Sequence, residues 1–193
     1  MQTQDLAELS SKHYDLTGTP TKKQIADFES RFEGYKVDKR SDHNVLGMYN
    51  YEKDHLVINH LGTDKPADVL SDLIQATPLN RLDPQADSRR KKTKDIVNHY
   101  PNTKRTTLTG HSYGGATVLD ALSKSPSLEK HVTDVHLFNP YISKPHKKNK
   151  KVTVHRTPND LVSILPTPFK TMTHKTSSWV NPHTAHGLEN FMM

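Results

Sequence analysis

Hydrophobic and polar positions follow two periods along this chain, and the periods predict an alternating series of strands and helices. Short β-rich runs predict strands over residues 45–51, 55–61, 105–109, 132–138 and 152–156. Apolar residues three or four positions apart predict helices over residues 21–28, 65–75, 84–100 and 116–122. Strands that alternate with helices indicate an α/β fold with a mostly parallel central sheet flanked by helices.

The first twenty residues differ from this pattern because they are polar and end in a turn-forming Thr-Gly-Thr-Pro segment. We interpret residues 1–20 as a polar N-terminal arm with one weak helix, and residues 21–193 as one compact domain. A chain of 193 residues is long enough to bury a core of its own. The sequence shows no internal repeat and no sign of a second domain.

Composition adds a polar and basic surface to this picture. Hydrophobic residues make up 32% of the chain, the mean hydropathy is −0.80 and the net charge is +6. Such a surface favours peripheral contact with an anionic membrane, and solubility alone is the simpler explanation. The absence of cysteine excludes disulfides, and neither a signal peptide nor a membrane-spanning run is seen. These features predict a cytoplasmic or virion-associated protein.

The candidate chemistry centres on a G-x-S-x-G pattern formed by Gly110, Ser112 and Gly114. The pattern lies between the predicted strand 105–109 and the predicted helix 116–122. In a nucleophile elbow, small neighbours allow a tight turn that presents the serine to substrate. An incidental serine in a glycine-rich turn is the alternative, but the flanking strand and helix favour the elbow.

A nucleophilic serine needs a base, and the base needs a carboxylate to orient it. Asp160 follows the predicted strand 152–156 and is the candidate acid, although Asn159-Asp160 is also an ordinary turn pair; Asp134 is an alternative acid. The candidate bases are three late histidines: His174, His183 and His186. We prefer His186, because the compact segment 187–191 follows it, and His183 is its main rival.

An oxyanion hole requires N–H donors from two places in the chain. The residue after the nucleophile, Tyr113, supplies one candidate N–H, and Thr63 supplies another after the predicted strand 55–61. Gly62-Thr63 also fits a cap for the predicted helix 65–75, and both roles are compatible. No cofactor is required, and no metal site is expected without cysteine or an H-E-x-x-H pattern.

Four blocks of this sequence resemble the class 3 (fungal-type) lipase family, which has the α/β-hydrolase fold. Segment 60–64 with its following helix resembles the family's oxyanion block, and segment 109–116, T-G-H-S-Y-G-G-A, resembles its G-H-S-L-G-G-A elbow. Segments 138–140 and 154–166 resemble its F-G-x-P and acid blocks, and segment 186–189 is compatible with its histidine loop.

The resemblance covers residues 44–193 and implies a serine ester hydrolase acting on acylglycerols or phospholipids. It implies Ser112 as nucleophile, Asp160 as acid and His186 as base, with Thr63 and Tyr113 around the oxyanion. Leu61 replaces the family's usual arginine before Gly-Thr, which suggests a different arrangement behind the oxyanion site. Tyr113 replaces the common leucine, and the region after Thr63 is short and polar for a lid.

Two other classes of function compete with this interpretation. An inactive hydrolase fold with a structural or binding role would share every one of these blocks. Nucleic-acid binding rests only on net charge and on the lysine-rich segment 146–151, so we disfavour it. A thioesterase or an acyltransferase would show the same elbow, because acyl-chain selection depends on the shape of the pocket.

Overall fold

The computed structural model describes residues 1–16, 20–63, 86–142, 147–158, 160, 167–174 and 187–192. Within these ranges, seven strands form one sheet in chain order: β1 (Tyr35–Val37), β2 (Val45–Asn50), β3 (His55–His60), β4 (Arg105–His111), β5 (Asp134–Phe138), β6 (Val152–Arg156) and β7 (Lys170–Thr173). The described helices are α1 (Thr3–His13), α2 (Lys22–Arg31), α3 (Ala86–His99), α4 (Tyr113–Ser123), α5 (Pro126–His131) and a 3-10 helix (Leu188–Phe191). The predicted helix 65–75 lies outside the described residues.

The sheet is mixed and mostly parallel, as the sequence predicts. Strands β1, β2 and β3 are antiparallel, and β3 to β7 run parallel. The β2–β3 pair is a hairpin in which Asn50 lies opposite His55, and Asp54 closes its turn with a φ of 45°. Because the parallel strands end at one edge, the residues that follow β3, β4, β5 and β6 all lie at that carboxyl edge.

Two layers of helix cover the sheet. The α4 face is the side on which α3, α4 and α5 pack, and its apolar core includes Leu56, Ile58, Leu108, Val118 and Leu137. The α1 face is the opposite side, on which α1, α2 and the 3-10 helix pack. Its apolar core is a second cluster that contains Leu6, Leu46, Met48, Phe138 and Phe191. The elbow and its helix therefore rest on the more apolar side of the sheet.

The N-terminal helix packs on the α1 face of the sheet, whereas the sequence predicts a polar arm over residues 1–20. Helix α1 buries Leu6, Leu9 and His13 at helical spacing against the sheet. Polar side chains on this face find partners within the core, and Ser10 Oγ donates to Asn59 Oδ1 at 2.7 Å. Polarity alone therefore suggested a surface arm, although the segment covers one face of the sheet.

Several short elements were not predicted. Strands β1 and β7 have 3 and 4 residues, and helix α5 has 6, so none shows a full hydrophobic period. Helix α4 begins at Tyr113, three positions before the predicted start, because the turn at Ser112 leads directly into it. Of the helices that the structure describes, none combines the length and apolar character needed to cross a lipid bilayer.

Candidate active site

Ser112 occupies the sharp turn between β4 and α4, with φ 52° and ψ −122°. L-residues rarely adopt this conformation, and backbone strain of this kind concentrates at functional sites. The strand, the turn and the helix follow one another without a spacer, since β4 ends at His111 and α4 begins at Tyr113. The local geometry is therefore the strand–turn–helix arrangement in which elbow enzymes place their serine.

Backbone hydrogen bonds from the next strand keep the turn in this conformation. The Ser112 N–H donates to the Phe138 carbonyl at 3.0 Å, and the Ser112 carbonyl accepts from the Tyr141 N–H at 3.0 Å. The same carbonyl accepts from the Gly115 N–H at 3.1 Å, which starts the helix. Because β5 supplies one of these three bonds and the segment after it supplies another, tertiary contacts as well as local sequence stabilise the strained residue.

Two glycines let the loop after β3 approach the elbow. A side chain at Gly114 would collide with the His60 carbonyl, and one at Gly62 would collide with the Tyr14 hydroxyl. Gly62 also lies against the His111 carbonyl, where an added Cβ would be 2.9 Å away. The loop that carries Thr63 therefore contacts the turn that carries Ser112.

The electrostatics around Ser112 favour negative charge. The serine is the N-cap of α4, and the N-terminus of a helix carries a partial positive charge that stabilises anions. The Arg89 guanidinium lies 5.7 Å from the centre of the Tyr113 ring and adds a full positive charge nearby. Ser112 itself is 5% exposed, so these charges act in a partly desolvated site.

Thr63 and Tyr113, the predicted oxyanion residues, lie on the two segments that Gly62 and Gly114 bring together. Thr63 is exposed and follows Gly62 at the end of β3, and Tyr113 is the first residue of α4. The Leu61 N–H donates to the Asn44 carbonyl at 3.0 Å, which ties the start of this loop to β2. Residues 64–85 lie outside the described residues.

The acid side of the site is built on the ends of β5 and β6. Asn139 lies in the segment that resembles the family's F-G-x-P block. It adopts a φ of 39°, which asparagine tolerates better than most residues. Its side chain accepts from the Thr157 N–H at 3.0 Å, and its own N–H donates to the His155 carbonyl at 2.8 Å. Asn139 thereby links the elbow's neighbour strand to the segment that leads to Asp160.

Asp160 follows β6 at the carboxyl edge and is buried, with 3% of its surface exposed. Burial lowers the pKa of Arg156, and the nearby Asp160 charge opposes that shift. The interaction is favourable for an ionised Asp160, which is the state that the orienting acid of a triad requires.

Asp134 has a different position. It pairs with Thr107 at the start of β5, five residues before Ser112, or about 16 Å along the strand. Arg105 Nε donates to Asp134 at 3.0 Å and the Thr107 hydroxyl donates to it at 2.7 Å. Asp134 therefore belongs to the opposite edge of the sheet and is excluded as the acid for Ser112.

The candidate bases divide into described and undescribed residues. His183 and His186 lie outside the described residues, so His186 stays a prediction. His174 is described, and its Nε2 lies 2.9 Å from Nδ1 of His155, while its ring packs edge-on against Phe191. Burial lowers the pKa of His174. These contacts engage His174 on the α1 face of the sheet.

Sequence reasoning missed Arg89 and Tyr14, which contact both segments of the site. The predicted helix over 84–100 did not single out Arg89 among its basic residues, yet Arg89, Thr93, Ile96 and Val97 are the buried residues of α3. Their spacing of four, three and one is helical, so the period of the segment contained the missing signal. Tyr14 Oη lies 3.0 Å from His111 Nδ1, a contact between distant segments that no local pattern shows.

No cofactor cradle or metal centre stands out in the residues that the structure describes. Among them, no group of three or more histidine, aspartate or glutamate side chains is arranged to hold a metal ion. The arrangement at the carboxyl edge instead combines a serine on a strained turn, a helix N-terminus and a buried carboxylate. Such a set of groups performs nucleophilic chemistry on a carbonyl when a base is added.

The fold is similar to that of solved fungal lipases. Lip2 lipase from Yarrowia lipolytica matches with a TM-score of 0.57 at 17% identity, covering 95% of this chain and 81% of that chain. A triacylglycerol lipase whose catalytic centre is a serine protease triad matches with a TM-score of 0.57 at 13% identity. The match covers 91% of this chain and 79% of that chain. The Rhizomucor miehei lipase in its propeptide complex matches with a TM-score of 0.54 at 14% identity.

The present chain is shorter than these lipases. It spans 65% of the Rhizomucor miehei chain, and 86% of its own length is matched. No family model matches the sequence, and no curated protein is significantly similar to it. At these identities the comparisons show the fold, which is the fungal-lipase form of the α/β-hydrolase fold.

Proposed function

We propose that this protein is a serine carboxylic-ester hydrolase that cleaves acylglycerol or phospholipid esters through an acyl-enzyme. The observation that carries the proposal is the strained Ser112 turn at the N-terminus of α4, in the fold of triacylglycerol lipases. A strained backbone of this kind is costly, and elbow enzymes use it to expose the nucleophile. The buried carboxylate Asp160 at the same sheet edge supports the proposal.

In this mechanism His186 removes the Ser112 proton as Oγ attacks the ester carbonyl, and Asp160 stabilises the resulting imidazolium. The carbonyl oxygen becomes an oxyanion, which the N–H of Tyr113 and the Thr63 segment stabilise by hydrogen bonds. The C–O bond to the alcohol then breaks, and His186 returns its proton to that alcohol. Water deprotonated by His186 attacks the acyl-enzyme, and the carboxylic acid leaves as Ser112 regains its proton.

The first test is covalent labelling of the purified protein with a fluorophosphonate probe. Wild type should label, and Ser112→Ala should lose labelling and all turnover of a short-chain ester, because no other group replaces the nucleophile. Ser123→Ala is a matched control on the same helix, and it should label as wild type does. Equal labelling of Ser112→Ala and wild type would refute the role of Ser112.

The choice of base is tested by three alanine variants assayed in parallel. His186→Ala should lose ester turnover by several orders of magnitude, whereas His183→Ala and His174→Ala should retain most of it. His174 is the described control, because its ring is engaged with His155 and Phe191. A larger loss in His183→Ala than in His186→Ala would move the base to residue 183.

The test also separates an enzyme from an inactive hydrolase fold. A folded wild-type protein that neither labels nor hydrolyses any ester of a panel from short-chain esters to phospholipids would favour a binding role. A panel that includes thioesters and acceptor alcohols would separate hydrolysis from acyl transfer, since all these reactions share the acyl-enzyme.

A further inference from the structure

We propose that Arg89 of α3 is a positioning residue that sets the geometry of the oxyanion hole, a role that rests on the proposed function. Its guanidinium contacts both segments that carry the oxyanion donors. One segment is the loop after β3, which leads to Thr63, and the other is the start of α4, which carries Tyr113.

On the loop side, Arg89 completes a closed ring of hydrogen bonds. Its Nη1 donates to the Leu61 carbonyl, and its Nη2 donates to Asn44 Oδ1 at 2.9 Å. Asn44 in turn accepts from the Leu61 N–H through its carbonyl at 3.0 Å. Both polar groups of the Leu61 backbone are therefore fixed immediately before Gly62 and Thr63.

On the elbow side, the guanidinium lies 5.7 Å from the centre of the Tyr113 ring. A cation over an aromatic face is attracted by the ring, and Tyr113 is the residue whose N–H points toward the oxyanion in an elbow enzyme. One side chain thus restrains the first residue of α4 and the loop that faces it.

The position is buried and its chemistry suits arginine rather than lysine. Arg89 is 6% exposed, and its planar fork donates in two directions at once, which an ammonium group on a flexible stem does less well. Burial is the main cause of the lowered pKa of His60, and the Arg89 charge is the next. The Arg89 charge therefore acts at the end of β3.

A merely structural role would lower stability without changing the chemistry of the folded enzyme. A positioning role makes a different prediction, because the oxyanion exists only in the transition state and its donors affect kcat more than KM. The substitution Arg89→Ala should therefore lower kcat for a short-chain ester roughly 10- to 100-fold, with KM changed by less than about threefold. The rate of fluorophosphonate labelling should fall in parallel.

Arg90→Ala is the matched control, because it removes an arginine from the same turn of α3. Arg90 bridges to Asp87 at 2.8 Å and lies 4.0 Å from Asp120, which is seven residues after Tyr113 on α4. Its kcat and labelling rate should equal those of wild type. Added guanidine at millimolar concentration should raise kcat of Arg89→Ala and leave Arg90→Ala unchanged, since only the first variant has a matching cavity.

If Arg89→Ala does not fold, Arg89→Lys and Asn44→Ala replace it, and both should lower kcat more than KM. A folded Arg89 variant, or Asn44→Ala in its place, with wild-type kcat and labelling rate would overturn the positioning role and leave the proposed function intact. A folded wild-type protein without labelling or ester turnover would overturn the proposed function and this role with it.

Discussion

The α4 face of the sheet buries leucine, isoleucine and valine side chains, whereas the α1 face also buries histidine, threonine and asparagine side chains that hydrogen-bond one another. On the α4 face, Leu56, Leu108 and Leu137 are fully buried against the helices that carry the elbow. On the α1 face, Asn59 Nδ2 lies 2.7 Å from His13 Nδ1, and Asn59 Oδ1 accepts from Ser10. The two faces are thus stabilised by different interactions.

A chain of polar side chains crosses most of the α1 face, and we call it the polar row. It consists of Tyr35, His55, Thr107, Asp134, His136, His155 and His174. The Thr107 hydroxyl donates to Asp134 at 2.7 Å, so it accepts from His55 Nε2, and His55 Nδ1 then accepts from the Tyr35 hydroxyl. One threonine therefore determines the tautomer of its histidine neighbour.

The histidine half of the polar row extends from β5 across β6 to the residue that follows β7. His136 Nδ1 and His155 Nε2 are 2.9 Å apart, and His155 Nδ1 and His174 Nε2 are also 2.9 Å apart. Each contact needs one donor and one acceptor, and a neutral central ring meets both because one of its nitrogens donates while the other accepts. Burial lowers the pKa of His155 to about 3, in agreement with a neutral ring.

This difference explains how a chain with a mean hydropathy of −0.80 forms two packed layers. Hydrogen-bonded polar groups share one of the layers with its apolar cluster, and they contribute little net free energy but are costly to leave unsatisfied. The layer on the α4 face buries one such histidine, His60 between Thr93 and Thr117, whereas the layer on the α1 face buries His13, His55 and His155. The layer on the α1 face is consequently the one that acid should disrupt.

The largest expected effect is a loss of stability in acid. Burial lowers the pKa of His13 to about 3, of His55 to about 4 and of His155 to about 3, against 6.5 for an unperturbed histidine. Below that unperturbed pKa the unfolded chain binds protons that the native protein does not, so the free energy of unfolding falls with pH. At about pH 5 each histidine should lower the free energy of unfolding by about 2 kcal/mol, and the three together should lower it by roughly 6 kcal/mol.

Urea denaturation at a series of pH values from 7.5 to 5 measures this effect. His13→Gln should show a shallower dependence on pH than wild type, and His131→Ala, which removes an exposed histidine of α5, should show the same dependence. A free energy of unfolding that is constant over this range would contradict the burial of neutral histidines on the α1 face.

The next largest effect is the loss of stability caused by a cavity on the α4 face. Leu108 of β4 is fully buried, so Leu108→Ala should lower the free energy of unfolding by about 2–5 kcal/mol at neutral pH. Met172→Ala provides the control, because Met172 is 43% exposed and should change stability by less than about 0.5 kcal/mol. Chemical denaturation of both variants gives the comparison, and similar losses would argue against the packing of the α4 face.

The smallest effect tests the polar row at Thr107, which is next to Leu108 on β4. Thr107→Val removes the hydroxyl between His55 and Asp134 without changing side-chain size, and should cost about 1–3 kcal/mol. Thr109→Val is the matched control two residues along, because within the described part of the chain the buried Thr109 hydroxyl has no hydrogen-bond partner. That variant should be neutral or stabilising, and an equal cost at both positions would remove the energetic role of the polar row.

The sequence alone determined the elements whose pattern is local and long enough to have a period. The hairpin strands, the strand over 152–156 and the helix before Pro101 agree with the structure to within a few residues. The elbow strand and turn were also predictable, because glycine spacing and the change of period around Ser112 belong to one contiguous segment. Segment 154–160 showed in the same way that Asp160 follows a strand.

Tertiary structure decided the features that depend on contacts between distant segments. Composition predicts a polar arm where helix α1 lies, because the partner of its buried Ser10 and His13 is on β3, about fifty positions away, where no local pattern shows it. In the sequence, Arg89 is one of four consecutive basic residues, and only the fold places its guanidinium between Leu61 and Tyr113. Hydrophobic periodicity records which residues leave water, but the partner of a buried polar group is set only when the chain folds.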